Sequence, residues 1–322
     1  MATSHGPGRI TPDSAHPVRA GRRAWSVAMF AFGLCLLVAA VWVVTRQSSA
    51  LADAWAAART SPPWMIAAIV LLPLVNWLLS SVIFWIITNR YGRVGFWEMS
   101  ALLGSAWLLN MLPMKPGLVG RVAYHRAISG IPIATSLMAL ALAFASGLAG
   151  IALAVALTTP PARVGAQMVV GIMVVSAPIL WGISKSKGKL SATDLVARCT
   201  LAALVRSLDT YIWAIRYALV FKIVGIEGLT PGVVVAIAGV SQIAGQFPVQ
   251  FGLREWVVGW SASQTGSSTR AAAGLAALAP GLTADLINRA CEIACALPVG
   301  LVSSAWVFRR LRRAQQPLST AG

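Results

Sequence analysis

Charged residues are scarce in this sequence, and acidic residues are the scarcest. Only 11% of the 322 residues are charged, and nine are acidic against 26 that are basic. Soluble globular domains carry about 25% charged residues, so the composition argues against a soluble protein. Hydrophobic residues make up 57% of the chain, which favours an integral membrane protein with several spans.

Histidine and cysteine are also rare, with three and four residues. Cys291 and Cys295 are one helical turn apart, but no histidine lies near them in the sequence, and a metal site needs more ligands. We therefore expect no metal and no cofactor. The best candidate for a catalytic base is His125 beside Arg126, and it is a weak one. The chain is expected not to be an enzyme, with an intramembrane enzyme acting on lipid phosphate as an alternative.

Long apolar runs predict an all-α integral membrane protein with six spanning helices. The runs cover residues 24–45, 65–88, 131–157, 164–184, 199–224 and 282–308, and a span needs about 20 apolar residues. Two further apolar segments, 96–112 and 232–245, are shorter, and each runs into a region rich in proline and glycine. At that length a re-entrant segment is as plausible as a crossing, so an eight-span arrangement stays open.

Lysine and arginine predict the orientation, because cytoplasmic loops retain positive charge. With the N-terminus inside, 14 of the 26 basic residues fall on the cytoplasmic side and five on the outer side. Both termini are therefore predicted to be cytoplasmic, in the plasma (inner) membrane. The net charge of +17 is spread over short loops and tails, which favours anchoring to anionic lipid and argues against nucleic-acid binding. A cleaved signal peptide within residues 1–52 is the rival to the first span, but its apolar run is long for one.

Two similar motifs divide the chain into halves. Residues 112–126 read LPMKPGLVGRVAYHR and residues 246–257 read QFPVQFGLREWV. Each contains P-x-x-x-G followed by arginine, at Pro116, Gly120 and Arg121 and again at Pro248, Gly252 and Arg254. With three spans in each half, the second half would run inverted relative to the first. The predicted domains are a disordered basic tail (1–23), two membrane repeats (24–157 and 158–308) and a second basic tail (309–322).

Proline and glycine are expected to break the helix at both motifs. Broken backbone at membrane depth must be surrounded by protein or line a water-filled cavity, and transporters place substrate sites at such points. The sequence therefore predicts a central site where Arg254, Arg121 and Lys115 bind an anionic headgroup. Glu255, or a carboxylate more distant in the sequence, is the expected partner of Arg254, since adjacent helical residues do not face each other.

Two predicted spans carry polar stripes that should face the interior of the bundle. The stripe on the fifth span comprises Arg206, Asp209 and Arg216, and that on the last span comprises Asp285, Asn288, Arg289 and Glu292. These side chains are candidates to line a substrate route or to couple it to an ion. The alternative is that they form ion pairs that hold the helices together.

The two motifs and the polar last span resemble the transmembrane region of lysylphosphatidylglycerol synthases and its stand-alone flippase-like relatives. The resemblance covers residues 25–308. Its most specific part is P-x-x-x-G-x-R-E at Pro248, Gly252, Arg254 and Glu255. It implies a bundle with re-entrant segments that handles a lipid with a polar headgroup. Arg121 stands where such proteins often carry an acidic residue, and no soluble aminoacyl-transferring domain fits in the chain, so lysyl-lipid synthesis is not expected.

A flippase-like lipid translocase is the leading functional hypothesis. Phospholipids, aminoacylated lipids and polyprenyl-phosphate-linked sugars are the candidate substrates. An accessory or scaffold subunit of an envelope lipid or glycan pathway is the alternative. The Arg254→Ala variant is expected to fold but lose lipid handling if the chain is a translocase, and to lose assembly or stability if it is a scaffold.

Overall fold

The computed structural model describes residues 38, 42, 55–110, 116–158, 192–247, 252–265 and 277–315. Within these ranges the regular secondary structure is helical and contains no strand. The helices are α1 (Pro63–Thr88), α2 (Phe96–Leu109), α3 (Pro116–Ala127), α4 (Ile133–Thr158), α5 (Ala192–Val224), α6 (Pro231–Ala244), α7 (Leu253–Thr265) and α8 (Ala279–Gln315). The prediction of an all-α protein is confirmed for this part of the chain.

Three helices, α1, α4 and α8, are long and apolar enough to cross a membrane. They fit a membrane-embedded protein and coincide with three of the predicted spans. Helix α5 is longer than the predicted fifth span, at 33 residues, but it carries Arg206, Asp209 and Arg216 in its middle. The predicted spans at 24–45 and 164–184, the tail at 1–23, Lys115 and Pro248 fall outside the described residues, apart from residues 38 and 42.

The two short apolar segments form short helices of equal length. Helices α2 and α6 have 14 residues each, and each is followed by a break and a second short helix of 12 residues in α3 or 13 in α7. Gly252 occupies the break before α7 with φ of 88°, a conformation that residues with a side chain rarely adopt. The break predicted near Gly252 is therefore present.

The prediction for the first motif is wrong at Gly120, which lies inside a helix and does not interrupt it. Pro116 is the first residue of α3, where its missing N–H costs nothing because the first turn has no intrahelical acceptors for such groups. Gly120 lies within α3, and a Cβ added there would meet no atom within 4 Å. Helix α2 ends at Leu109 and α3 begins at Pro116, so glycine is not required at position 120.

Helix α5 is central to the packing and contacts α1, α4, α6 and α8, while α8 also contacts α1, α2 and α7. The largest apolar core joins α5 to its neighbours through residues such as Tyr217, Phe221 and Val235. Helices α2 and α8 approach closely because both carry glycine at the crossing. A Cβ at Gly104 would collide with Ser303, and small residues are what allow membrane helices to pack so tightly. This packing places α1, α5, α7 and α8 around a polar interior.

Candidate anion-binding site

A cavity of about 240 Å³ lies in the polar interior, bordered by parts of all eight helices from α1 to α8. Among the described residues that line it, five are arginines and one is a carboxylate. The arginines are Arg121, Arg206, Arg216, Arg254 and Arg289, and the carboxylate is Glu292. The arginines of both motifs, Arg121 on α3 and Arg254 on α7, therefore line the same space.

Arg254 is 2% exposed and forms ion pairs with two carboxylates of α8. Its Nε donates to Asp285 Oδ2 at 3.0 Å and its Nη1 donates to Glu292 Oε2 at 2.9 Å. Its Nη2 has no hydrogen-bond partner among the described residues. The expectation of a carboxylate more distant in the sequence than Glu255 is confirmed, and two carboxylates take that role.

Glu255 instead stabilises the start of α7. Its Oε2 accepts a hydrogen bond from the backbone N–H of Gly252 at 2.8 Å, which is the glutamate half of a capping box. Glu255 is fully buried and is absent from the described lining of the cavity. The expectation that Glu255 pairs with Arg254 is therefore wrong, because the carboxylate is directed to the backbone of the break.

Arg216 lies on α5 and connects that helix to α1 and α8. Its Nη1 donates to Asn76 Oδ1 on α1 at 3.0 Å, and its Nη2 donates to Asn288 Oδ1 and, at 3.0 Å, to Glu292 Oε1 on α8. Arg289 lies 3.7 Å from Glu292 Oε2. Three arginines thus converge on Glu292, and the two predicted polar stripes meet each other in the interior.

Arg206 and Asp209 form a second pair on α5. Arg206 Nη1 donates to Asp209 Oδ2 at 2.7 Å, and Asn76 Nδ2 donates to Asp209 Oδ1 at the same distance. Arg206 also approaches Gln242 Oε1 on α6 at 3.4 Å. Asp209 is fully buried, so these bonds supply the partners that a buried carboxylate requires.

Asp285 receives a second hydrogen bond from a residue that the sequence reasoning missed. The hydroxyl of Tyr217 lies in hydrogen-bonding distance of both Asp285 Oδ1 and Ser241 Oγ. The reasoning also missed Asn76 and Gln242. Both amides lie in apolar helices. A polar side chain within a long apolar run is a sequence feature that could have identified them. The ring of Trp213 lies 4.6 Å from the guanidinium of Arg216. Nothing in the sequence distinguishes this tryptophan from the other twelve.

Arg121 differs from the other arginines of the cavity. It is 7% exposed, and no carboxylate in the described ranges forms an ion pair with it. Its guanidinium stacks on the ring of Phe84 at 4.0 Å. Burial lowers the pKa of Arg121 to about 10, so the side chain remains charged at neutral pH. A buried charge without a counterion is costly, and an anion in the cavity would relieve that cost.

The interior carries more positive than negative charge. Asp209, Asp285, Glu292 and Glu255 stand against the five arginines of the cavity, which leaves an excess of one positive charge. Since the other four arginines lie close to these carboxylates, the excess resides at Arg121. The arrangement can therefore bind a negatively charged group next to Arg121.

His125 lies near the end of α3, outside the three candidate spanning helices. It is buried, and its Nδ1 has no partner among the described residues. Burial and the nearby charge of Arg121 lower the pKa of His125 to about 4, so the ring is neutral at pH 7. In the described ranges no group of three or more His, Cys, Asp or Glu side chains could hold a metal ion, and the expectation of no metal stays a prediction.

Comparison of the sequence with known proteins gives no assignment. No protein-family model matches the chain, and no curated protein matches it. The resemblance to the transmembrane region of lysylphosphatidylglycerol synthases therefore stays a hypothesis.

Proposed function

We propose that the chain is a flippase-like membrane lipid translocase that binds an anionic lipid headgroup or a lipid-linked sugar in the central cavity. The observation that carries this proposal is that Arg121 and Arg254 line one cavity, although 132 intervening residues separate them in the sequence. Arginine suits the role because its planar guanidinium can hold a phosphate through two hydrogen bonds.

Each of the two arginines follows a break between short helices. Arg121 is the sixth residue of α3 and Arg254 is the second residue of α7. The N-terminal turn of a helix presents unpaired N–H groups and a positive dipole end. A headgroup that entered between the two breaks would meet these features from both sides, as in transporters whose substrate binds between two discontinuous helices.

We also propose that six spans and two re-entrant segments form an inverted repeat, within the plasma (inner) membrane and with both termini cytoplasmic. In support, α1 to α4 run long, short, short, long, and α5 to α8 run the same. The principal helix contacts are consistent with the correspondence of α1 to α5, α2 to α6, α3 to α7 and α4 to α8. The contact of α2 with α8 corresponds to that of α6 with α4, and the contact of α4 with α5 corresponds to that of α8 with α1. When α1 to α4 are exchanged with α5 to α8, every principal contact maps onto a principal contact, and the contact between α1 and α5 maps onto itself.

A scaffold subunit is the second candidate, and the ion-pair network favours it. Arg254, Asp285, Glu292 and Arg216 connect α5, α7 and α8, as residues would that only hold helices together. Arg121 distinguishes the two candidate functions, because it joins no ion pair in the described part of the chain. A lipid-binding protein would use this charge to bind an anion, whereas a scaffold has no need of it.

Mass spectrometry of the lipids that co-purify in a mild detergent tests the proposal. Wild type is compared with Arg121→Met, which removes the charge, and with Arg126→Met, the same substitution at an exposed position of α3. We expect one anionic lipid class to be enriched in wild type and in Arg126→Met, and to be lost from Arg121→Met. Bulk membrane lipid in all three samples would leave the scaffold as the better account.

A further inference from the structure

We propose that the headgroup bound in the cavity is a phosphate joined to an uncharged group that carries hydroxyls, and that the cavity excludes lipids whose headgroup bears an ammonium. This inference rests on the proposed function and names the substrate class of the same site. Two sources share this chemistry: glycerophospholipids with a polyol headgroup, and polyprenyl phosphates that carry a sugar. Aminoacylated phospholipids are excluded.

Glu292, which lines the cavity, and the two carboxylates that pair with its arginines are all occupied, so none of these three is free to bind an ammonium, and Glu255 does not line the cavity. Glu292 receives Arg216 and Arg254 at 3.0 and 2.9 Å. Asp209 is bonded by Arg206 and Asn76, and Asp285 by Arg254 and Tyr217. The last two carboxylates are also fully buried. An ammonium in the cavity would therefore meet guanidinium groups, and juxtaposed like charges are strongly unfavourable.

Aromatic rings can bind an ammonium through cation–π contacts, but guanidinium groups already occupy rings at this cavity. Arg121 covers Phe84 at 4.0 Å. The ring of Trp213 has Arg216 at 4.6 Å and Arg254 at 5.3 Å. These rings already form cation–π contacts with the protein's own arginines, and a cationic ligand would compete with those arginines for the same ring faces.

The remaining polar groups of the lining are uncharged and suit hydroxyls. Asn110 Oδ1 is buried and accepts no hydrogen bond from the described residues, and Ser80 and Gln246 also line the cavity. Amides and hydroxyls both donate and accept, as a sugar or glycerol hydroxyl does. Trp77 and Trp107 add apolar walls against which the carbon skeleton of a polyol can pack.

The cavity is large enough for a headgroup but not for a whole lipid. Its volume of about 240 Å³ lies below the roughly 300–1,000 Å³ of pockets that enclose drug-sized ligands. A phosphate beside Arg121 would satisfy the charge that lacks a counterion, and the polyol would then lie among the neutral groups. The acyl or prenyl chains would remain outside, in the hydrocarbon of the membrane.

Native mass spectrometry of the full-length protein in detergent tests this inference by direct competition. Phosphatidylglycerol and lysylphosphatidylglycerol share the phosphate and glycerol and differ by the lysyl group, so both complexes are resolved in one spectrum. A diglucosyl diacylglycerol supplies sugar without phosphate, and phosphatidylcholine serves as the background lipid. A parallel titration with a polyprenyl-phosphate hexose distinguishes the two sources of the polyol phosphate.

We expect phosphatidylglycerol or the polyprenyl-phosphate hexose to bind at least about tenfold more tightly than lysylphosphatidylglycerol, a ratio that corresponds to about 1.4 kcal/mol. Whichever of these two lipids binds more tightly identifies the source of the polyol phosphate. The preference for that lipid over lysylphosphatidylglycerol should fall in Arg121→Met and persist in Arg126→Met. The diglucosyl lipid should bind no better than phosphatidylcholine, because it lacks the anion.

Three outcomes would overturn the inference, and they separate its failure from that of the proposed function. Binding of lysylphosphatidylglycerol as tight as that of the stronger of phosphatidylglycerol and the polyprenyl-phosphate hexose, or tighter, would refute the exclusion of ammonium while leaving a lipid translocase in place. Tight binding of the diglucosyl lipid would refute the need for phosphate. Binding of every lipid at the level of phosphatidylcholine would refute both the inference and the proposed site.

Discussion

Replacing Arg254 should destabilise the protein far more than replacing Arg121, although both arginines line the cavity. Arg254→Met leaves Asp285 and Glu292 without one partner each. Removing one partner of a buried ion pair costs about 3–5 kcal/mol. Glu292 retains Arg216 at 3.0 Å. We therefore assign most of this cost to Asp285, whose one remaining partner among the described residues is the hydroxyl of Tyr217.

A double variant tests that assignment. In Arg254→Met with Asp285→Asn, the carboxylate that lost its partner becomes a neutral amide whose oxygen can still accept from Tyr217. We expect the double variant to be more stable than Arg254→Met, and the two substitutions to couple by about 0.5–3 kcal/mol in a double-mutant cycle with Asp285→Asn, as residues in contact do. Arg121→Met orphans no carboxylate in the described ranges and removes a buried charge that lacks a counterion, so it should not lower the free energy of unfolding.

Unfolding in sodium dodecyl sulfate, followed by tryptophan fluorescence, measures these differences. The reasoning fails if Arg254→Met unfolds no more easily than Arg121→Met, or if the double variant is less stable than Arg254→Met. Arg254→Ala cannot separate a translocase from a scaffold, because loss of stability is expected in both cases. Arg121→Met can separate them.

Two other features of the fold give further predictions. Gly252→Ala should destabilise the protein by about 1–2 kcal/mol, because φ of 88° is strained for a residue with a side chain, whereas Gly120→Ala should stabilise α3 by up to about 1 kcal/mol, because the site is open and helical; equal effects of the two substitutions on unfolding would count against the helix bounds. If the two halves are inverted, single cysteines at Ser61 before α1 and at Thr193 in the first turn of α5 should react with an impermeant thiol reagent from opposite sides of the membrane, in a background without the native cysteines. Labelling from one side would exclude the inverted repeat.

The apolar runs predicted several helices closely, because hydrophobic length and the positions of proline and glycine determine such elements. The run at 65–88 is α1 from Pro63 to Thr88, and the two short segments are α2 and α6. Local pattern was less reliable at the first motif. The local pattern predicts that Gly120 breaks a helix, but the effect of glycine depends on its surroundings, and Gly120 is tolerated within α3.

The pairing of charges required the tertiary structure. The stripes on α5 and α8 could be recognised from their helical spacing, since that spacing fixes which residues share a face. Spacing does not give the partner on another helix, and the partners of Arg254 are 31 and 38 residues away in the sequence. The contrast between a paired Arg254 and an Arg121 without a carboxylate partner could not be derived from two motifs that look alike.

The central claim is that the positive charge of Arg121 binds the anionic headgroup of a transported lipid. The most direct measurement is the rate at which purified protein in liposomes moves a fluorescent phosphatidylglycerol between leaflets, compared among wild type, Arg121→Met, Arg121→Lys and Arg126→Met. The account predicts a loss of at least about tenfold in Arg121→Met, partial retention in Arg121→Lys because the charge remains, and wild-type rates in Arg126→Met. Wild-type transport by a folded Arg121→Met protein would contradict it.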